Sequence, residues 1–434
     1  MKRFFTILLS TLFFSAATAS TVDSLYLNNE EIEEKAEKKL TYKFGGTLDL
    51  RFIYDSYAHA SVRNSAIYFM PLAPSYDTNG VDLNDVDKLT FNPYATRLTF
   101  SVDGIEALGA KGRLYIETDF AGSGDSYMQM LRMRHAYLNL DWEKNSLLLG
   151  QTNNLNFPSE IISNTVDMAG IPYCPLNRGM QIRYSHKFGK NVIFRSALEM
   201  FTPHNSVGPT DAQSNALMPA ISAQMVFGNS DRFLAGLTAE FKVLKPYNSR
   251  TNSMGEVFAV NEKISSGSIS AFAKYTVNDY KFQLWGIYGS NLSHLSMIGG
   301  YGKVAGSSID TDYEYANIYT MTSWFDFETP KFSNFQFGLF TGYQHNFGSK
   351  EALDLTQTVD GTYDYGYFRY GDVNWHGRVA VRSFYHATSA LSFGLEYGYN
   401  YAQWSKEVDE YLQPIETYPV TVDNRLILYV RFVF

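Results

Sequence analysis

The last ten residues of the chain, 425–434 (RLILYVRFVF), alternate between two faces with a period of two, which predicts a β-strand. One face is entirely apolar, whereas the other carries two arginines beside Ile427 and Tyr429. An arginine that faces lipid at the bilayer midplane costs about 2–4 kcal/mol. We therefore expect Arg425 and Arg431 to face the lumen of a membrane β-barrel. The other face should contact lipid through Leu426, Leu428, Val430, Phe432 and Phe434.

The same alternation recurs along the chain from residue 40 onward, in segments of about ten residues separated by turn-forming residues. Seven short connections alternate with eight long polar ones, which together join sixteen strands. In a barrel that spans from periplasm to exterior, short turns lie on one side and long loops on the other. The sequence therefore predicts an all-β fold over residues 43–434. This fold is a transmembrane antiparallel β-barrel of about 16 strands, with short periplasmic turns and long extracellular loops.

Composition excludes the main competing classes. The 434 residues include 32 Tyr, 32 Phe and 5 Trp. This is a larger share of aromatic residues than soluble domains usually carry, because they would leave apolar patches on the surface. Beyond the N-terminus no run of 18 apolar residues exists, which excludes a bundle of membrane helices. The sequence contains no GxSxG, P-loop or dinucleotide-binding motif, and its histidines have no metal-ligand spacing. We therefore expect neither enzymatic activity nor a cofactor.

The N-terminus predicts export. Residues 1–19 combine Lys2 and Arg3, an apolar stretch over 4–14 and the tripeptide ATA before Ser20, which are the features of a signal peptide. Its removal changes the net charge from −8 to −10 by the loss of Lys2 and Arg3, so nucleic acid is not an expected partner. Residues 20–42 are predicted to be a short periplasmic segment. Within it, 29–40 (NEEIEEKAEKKL) forms either a short helix or a partly ordered leader.

Two stretches resemble a known family. Residues 131–137 (LRMRHAY), followed by 147–152 (LLLGQT), are similar to the DcaP-like porins of Gram-negative outer membranes, and the resemblance covers roughly 94–180. It implies a sixteen-stranded trimeric porin in the outer membrane that takes small, often anionic, solutes, with the loop after GQT folded into the pore. The chain departs from the family at Asn153 and Asn154, where Trp-Ser is usual. Phe434 looks like the C-terminal aromatic residue that barrel-assembly machinery recognises.

The long connection over residues 153–178 is rich in apolar side chains, which suits a segment packed inside the barrel. Its carboxylates, Glu160 and Asp167, would then face cations of the wall across the pore and create a transverse field. In the alternative, the wall arginines pair with acids such as Glu117 and Asp119. Eight arginines have the inward parity and are predicted to line the pore: Arg97, Arg113, Arg132, Arg134, Arg183, Arg195, Arg378 and Arg382.

We expect a modest preference for anions. An ion in transit feels mainly the charges within about 8 Å at physiological salt, and many of the acids fall in predicted external loops. The expected partners are outer-membrane lipid, small hydrophilic solutes and two further copies of the chain. Two alternatives remain at this point: a substrate-specific channel for hydrophobic compounds, with fourteen strands and an N-terminal hatch, and a surface adhesin or assembly barrel.

Two further interpretations concern individual residues. The stretch 77–87 (DTNGVDLNDVD) predicts an acidic surface loop, with a calcium site as the alternative. The candidate calcium ligands are Asp77, Asn79, Asp82 and Asp85. His135 has the outward parity, which predicts an aromatic-girdle position beside Tyr137.

Overall fold

The computed structural model describes residues 40–201, 207–229, 231–308, 310, 312–355, 358–359, 362–363 and 366–434. The predicted signal peptide and the predicted N-terminal segment lie outside these residues, apart from positions 40–42. In the described part, no helix has the length and apolar character needed to cross a membrane.

Sixteen strands form the barrel. They are β1 Thr41–Asp55, β2 Arg97–Ala107, β3 Ala110–Asp119, β4 Arg132–Asp141, β5 Asn145–Asn153, β6 Arg178–Lys187, β7 Val192–Met200, β8 Ala220–Asn229, β9 Phe233–Leu244, β10 Ile264–Val277, β11 Tyr280–Ser290, β12 Tyr315–Glu328, β13 Phe335–Ser349, β14 Val373–His386, β15 Leu391–Val408 and β16 Thr421–Val433.

Shorter elements lie in the long connections. The short strands are His59–Val62, Ile67–Pro71, Lys88–Asn92, Ser249–Thr251, Val257–Ala259, Gly299–Lys303, Thr358–Val359, Thr362–Tyr363, Gly366–Arg369 and Pro414–Thr417. The helical turns are the 3₁₀ segments Asp125–Tyr127, Met168–Gly170 and Leu292–Leu295, and the α-helix Ala212–Ala216.

Each barrel strand pairs antiparallel with the next, and β1 closes the ring by pairing with β16 from Thr47↔Val433 to Asp55↔Arg425. The prediction of a sixteen-stranded antiparallel barrel is confirmed. At the end of the seam, the backbones of Gly46 and Phe434 exchange two hydrogen bonds, of 2.9 and 3.1 Å. A Cβ on Gly46 would lie 2.5 Å from the Arg97 carbonyl oxygen and 2.6 Å from the Phe434 ring, so a larger residue would require its neighbours to shift.

The connections alternate in length. Short turns follow the even-numbered strands, and the turn between β10 and β11 places Asn278 and Asp279 at positive φ, as a two-residue hairpin requires. The long loops follow the odd-numbered strands. We number them L1 (56–96), L2 (120–131), L3 (154–177), L4 (201–219), L5 (245–263), L6 (291–314), L7 (350–372) and L8 (409–420).

The outer surface is apolar and is banded by aromatic side chains. In β16, Leu426 and Leu428 are 42% and 47% exposed, whereas Arg425 and Ile427 are buried inside, as the alternation predicts. Near the turn at 278–279, the rings of Phe282 and Phe327 lie 5.1 Å apart. Other aromatic pairs lie towards the opposite end of the strands, including Tyr288–Tyr319 and Tyr288–Phe347. An apolar band between two aromatic girdles on a closed barrel is the architecture of an outer-membrane protein.

Candidate functional site in the barrel lumen

L3 crosses the lumen from one wall to the other. Near its start, the Asn154 Nδ2 donates to Glu199 of β7 at 2.9 Å and to Glu240 of β9 at 2.7 Å. Further along, the Val166 amide donates to Glu396 of β15 at 2.7 Å. Strands β7 and β15 are eight positions apart in a ring of sixteen, so these contacts join opposite walls. L3 therefore divides the cross-section of the lumen.

L1 also folds into the barrel, although the long connections of the sequence are predicted to be extracellular. Its strand Ile67–Pro71 is buried throughout, and its residues Ile67, Phe69 and Met70 belong to the same hydrophobic cluster as Ile161 and Ile171 of L3. The Trp404 indole donates to the Pro71 carbonyl at 2.9 Å, which attaches the loop to β15. The sequence does contain an indication of this burial. Residues 67–71 (IYFMP) are as apolar as the segments assigned to the barrel wall.

A cavity of about 310 Å³ lies between L1, L3 and the wall formed by β2, β4 and their neighbours. L3 contributes Phe157, Ile162 and Met168 to its lining, and Glu117 is the one acidic side chain among the described lining residues. The rest of the charged lining is basic. It consists of Arg51, Arg63, Arg97, Arg132, Arg134, Arg178 and Arg431.

These arginines outnumber the acids that neutralise them. Arg134 Nε lies 2.5 Å from Glu117 Oε1 and its Nη1 3.0 Å from Asp119, which also pairs with Arg132 at 2.5 Å. Glu117 also accepts a hydrogen bond from the Tyr115 hydroxyl at 2.8 Å and lies 3.8 Å from Arg97. On the neighbouring wall, Asp49 is shared between Arg51 at 2.7 Å and Arg431 at 2.9 Å.

Two further lining arginines, Arg63 and Arg178, have buried Nε atoms without a hydrogen-bond partner. Burial, together with the charge of Arg132, lowers the pKa of Arg63 to about 9, so it is still mainly protonated at neutral pH. The cavity therefore presents unneutralised positive charge to whatever enters it.

A β-bulge in β4 brings two neighbouring side chains to this cavity. In the register between β3 and β4, Glu117 lies opposite His135 and Thr118 lies opposite Met133. Arg134 therefore has no residue opposite it and is the extra residue of the bulge. An extra residue interrupts the alternation of faces. Arg134 and His135 consequently both line the cavity, and the His135 ring lies 3.0 Å from the Thr152 hydroxyl. The prediction of an outward girdle position for His135 is wrong for this reason.

The other predicted arginines lie outside the cavity lining. Arg113 pairs with Asp103 at 3.5 Å near a short turn and is half exposed. Arg183 donates to the Asn153 carbonyl and to Gln181. Arg195 pairs with Glu160 of L3, and the last two, Arg378 and Arg382, are buried and pair with Asp167 at 3.0 Å and with Asp326 at 2.8 Å. Their role is to hold the interior together.

The two acids of L3 do not face the cavity arginines. Glu160 pairs with Arg195 at 2.5 Å, and Asp167 pairs with Arg378 and, at 3.3 Å, with Arg425. Both carboxylates are therefore neutralised at the walls that L3 contacts. The sequence predicts a transverse field between the acids of L3 and the arginines of β2 and β4. In the structure these acids pair with other arginines, and the charged side chains that line the cavity are mostly positive.

Two of the candidate calcium ligands, Asp77 and Asp82, accept hydrogen bonds within L1. Asp77 Oδ1 accepts the amides of Asn79 and Val81, each at 2.8 Å, and these bonds lower the pKa of Asp77. Asp82 Oδ1 accepts the Ser75 amide at 2.9 Å, and its Oδ2 accepts the Tyr57 hydroxyl. Within the described residues, neither these acids nor Asp85 belongs to a cluster of three or more His, Cys, Asp or Glu side chains with converging ligand atoms.

No protein-family model and no curated protein matches the sequence. Solved structures do match. The outer membrane channel DcaP of Acinetobacter baumannii is 18% identical, with a TM-score of 0.63 over 92% of this chain and 99% of that one.

Two more distant structures have the same fold. The anion-selective porin from Comamonas acidovorans is 9% identical, with a TM-score of 0.53 over 91% of this chain and 100% of that one. The trimer form of OmpT of Vibrio cholerae is 10% identical, with a TM-score of 0.51 over 91% of this chain and 99% of that one. The chain thus has the porin fold that the DcaP-like resemblance implied.

Proposed function

We propose that the protein is an outer-membrane porin, a passive channel for small hydrophilic solutes with a modest preference for anions. The observation that carries the proposal is the lumen cavity with seven arginines and one glutamate in its lining. A closed barrel leaves no backbone group unsatisfied in lipid, and its lumen provides the polar path.

The proposed preference for anions follows from where the charged side chains lie rather than from the net charge of the chain. The whole chain has a net charge of −8, but many of its acids, such as Asp77 and Asp85, lie in exposed loop segments. Charges more than about 8 Å from the solute are screened at physiological salt. The guanidinium groups of the cavity are much closer to a passing solute, and low-dielectric walls strengthen their field.

The comparisons support this proposal at the level of fold. One similar structure is described as an anion-selective porin, and another as a trimer. We propose a homotrimer for this chain as well, and we propose that Phe434 is the residue by which barrel-assembly machinery recognises it. A band of three chains in unboiled gel samples, which disappears on boiling, would support the trimer.

A channel for hydrophobic compounds fits less well, because a solute without charge would have to pass the guanidinium groups while giving them no partner. A surface adhesin would not need a lumen cavity lined by arginines, so this alternative does not account for the lining.

Reversal potentials across a bilayer in a KCl gradient test the preference. We expect the wild-type channel to favour chloride, and the Arg63→Gln, Arg97→Gln double variant to lose most of that preference. Arg63 is chosen because it has no ion pair among the described residues, and Arg97 because its contact with Glu117 is 3.8 Å long. Arg113→Gln is the matched control, since Arg113 lies outside the cavity. A wild-type channel that favours potassium would contradict the proposed selectivity.

A further inference from the structure

Three side chains of metal-ligand type meet where the closing seam of the barrel reaches L1. They are Asp55 at the end of β1, His59 in L1 and Asp423 in β16, and one ligand atom of each lies within 4.8 Å of the others. His59 Nε2 is 3.7 Å from Asp55 Oδ2. The side chains of Asp55 and His59 are 0% and 1% exposed, and Asp423 is likewise buried.

The two carboxylates are only half satisfied. Asp55 Oδ1 accepts Arg425 Nη1 at 2.7 Å, and Asp423 Oδ1 accepts the amides of Ser56 and Tyr57 at 2.8 and 3.2 Å. The Oδ2 atom of Asp55, however, is buried without a hydrogen-bond partner. The Oδ2 atom of Asp423 also lacks a well-aligned partner, although the Tyr68 hydroxyl faces this acid. An unpaired buried carboxylate oxygen is costly, so both atoms call for a cation or a proton.

The charges around the cluster also leave room for a cation. Asp167 lies between Arg378 and Arg425, at 3.0 and 3.3 Å, and Glu396 accepts the amide of Asp167 at 3.2 Å. Arg51 also faces Asp167 and Glu396, and Arg382 faces Glu396, so these two outer acids have cations of their own. Within the cluster itself, Asp55 and Asp423 face one guanidinium group, that of Arg425, and this local excess of negative charge favours a bound cation.

The imidazole is oriented for ligation. His59 Nδ1 lies 3.3 Å from the Tyr57 carbonyl, an arrangement that keeps the proton on Nδ1 and turns Nε2 towards the carboxylates. With the proton on Nδ1, Nε2 accepts a hydrogen bond from the Ser65 hydroxyl at 3.1 Å, and a bound ion would replace this hydrogen bond. Two ligand atoms around a tetrahedral Zn²⁺ are about 3.4 Å apart, close to the 3.7 Å separation seen here.

We propose that Asp55, His59 and Asp423 form a binding site for a divalent transition-metal ion of the Zn²⁺ type. One imidazole and two carboxylates suit Zn²⁺, and three protein ligands leave a fourth position for water. The ion would join β1, β16 and L1, the loop that carries Arg63 into the lumen cavity. It would thereby fasten L1 at the place where the barrel closes.

The test is zinc binding by the purified full-length protein in detergent, after removal of metal with a chelator. Calorimetric titration with Zn²⁺ should give one site per chain that is lost, or at least about tenfold weaker, in Asp423→Asn and in His59→Gln. The amide side chain of the Asp423→Asn variant would keep an oxygen that accepts the Ser56 and Tyr57 amides, so the barrel should still fold. Controls are Asp85→Asn and His186→Gln, which should bind zinc as the wild type does.

A second measurement uses the wild-type protein alone, so its result does not depend on whether a variant folds. X-ray absorption of the zinc-loaded wild-type protein should show one imidazole and otherwise oxygen ligands. A wild type that takes up no stoichiometric zinc would mean that a proton shared by the two carboxylates replaces the ion, and would overturn the proposal. Equal binding by both ligand variants, or a shell of several imidazoles, would overturn it too. None of these outcomes depends on channel activity, so the proposed function is tested separately.

Discussion

Buried ion pairs hold the inside of this barrel together. Arg382 donates two hydrogen bonds to Asp326, of 2.8 and 2.9 Å, and Ser163 of L3 donates to the same carboxylate at 3.0 Å. Both charged side chains are almost fully buried. Such a pair adds little over a well-packed apolar pair, but the removal of one partner leaves the other charge buried and unpaired.

We therefore expect Arg382→Met to lower the free energy of unfolding by about 3–5 kcal/mol. Lys406→Met is the matched control, because Lys406 and Glu416 form a surface pair at 2.6 Å and exposed pairs contribute about 0–1 kcal/mol. Urea unfolding followed by tryptophan fluorescence measures both variants. Equal losses would show that the burial of the Arg382–Asp326 pair does not determine its importance.

Among the elements, sequence periodicity is informative only where the strand is regular. In β16 the alternation holds along the whole strand, so both arginines could be assigned to the lumen. In β4 the bulge at Arg134 shifts the alternation by one residue, so Ala136, Leu138 and Leu140 fall on the parity of Arg132 and Arg134 and the pattern does not assign a face to this strand. The partners of Glu160 and Asp167 were beyond prediction for another reason, since they depend on how L3 lies across sixteen strands.

L3 is the element expected to limit conductance. Its removal between residues 158 and 170 would take away the side of the cavity formed by Ile162 and Met168. The barrel wall would keep its own strand pairing, so we expect a folded channel with a higher single-channel conductance. Bilayer recordings of the deletion variant measure this change.

The control is a deletion of residues 252–255 at the tip of L5, where all but the half-buried Asn252 are exposed. This deletion should leave conductance unchanged. An unaltered conductance in the L3 deletion would mean that the pore is narrowest elsewhere.

At the scale of the molecule, the ring depends on one closing seam. Because the Phe434 ring lies over Gly46, we expect Gly46→Ala to disturb the seam and to reduce the fraction of barrel that migrates as a folded species in unboiled SDS samples. Gly124→Ala is the control, since a Cβ there would have no neighbour within 4 Å. Normal assembly of Gly46→Ala would show that the seam tolerates a shift of Phe434.

The contacts of L3 with β7, β9 and β15 have a mechanical consequence for the whole barrel. A ring of hydrogen-bonded strands resists the separation of neighbours, but it resists flattening into an ellipse much less, because flattening breaks no hydrogen bond. A strut fixed to opposite walls opposes that deformation directly. L3 should therefore make the barrel stiffer under lateral pressure from a crowded membrane, and the shape of its opening should vary little as that pressure changes.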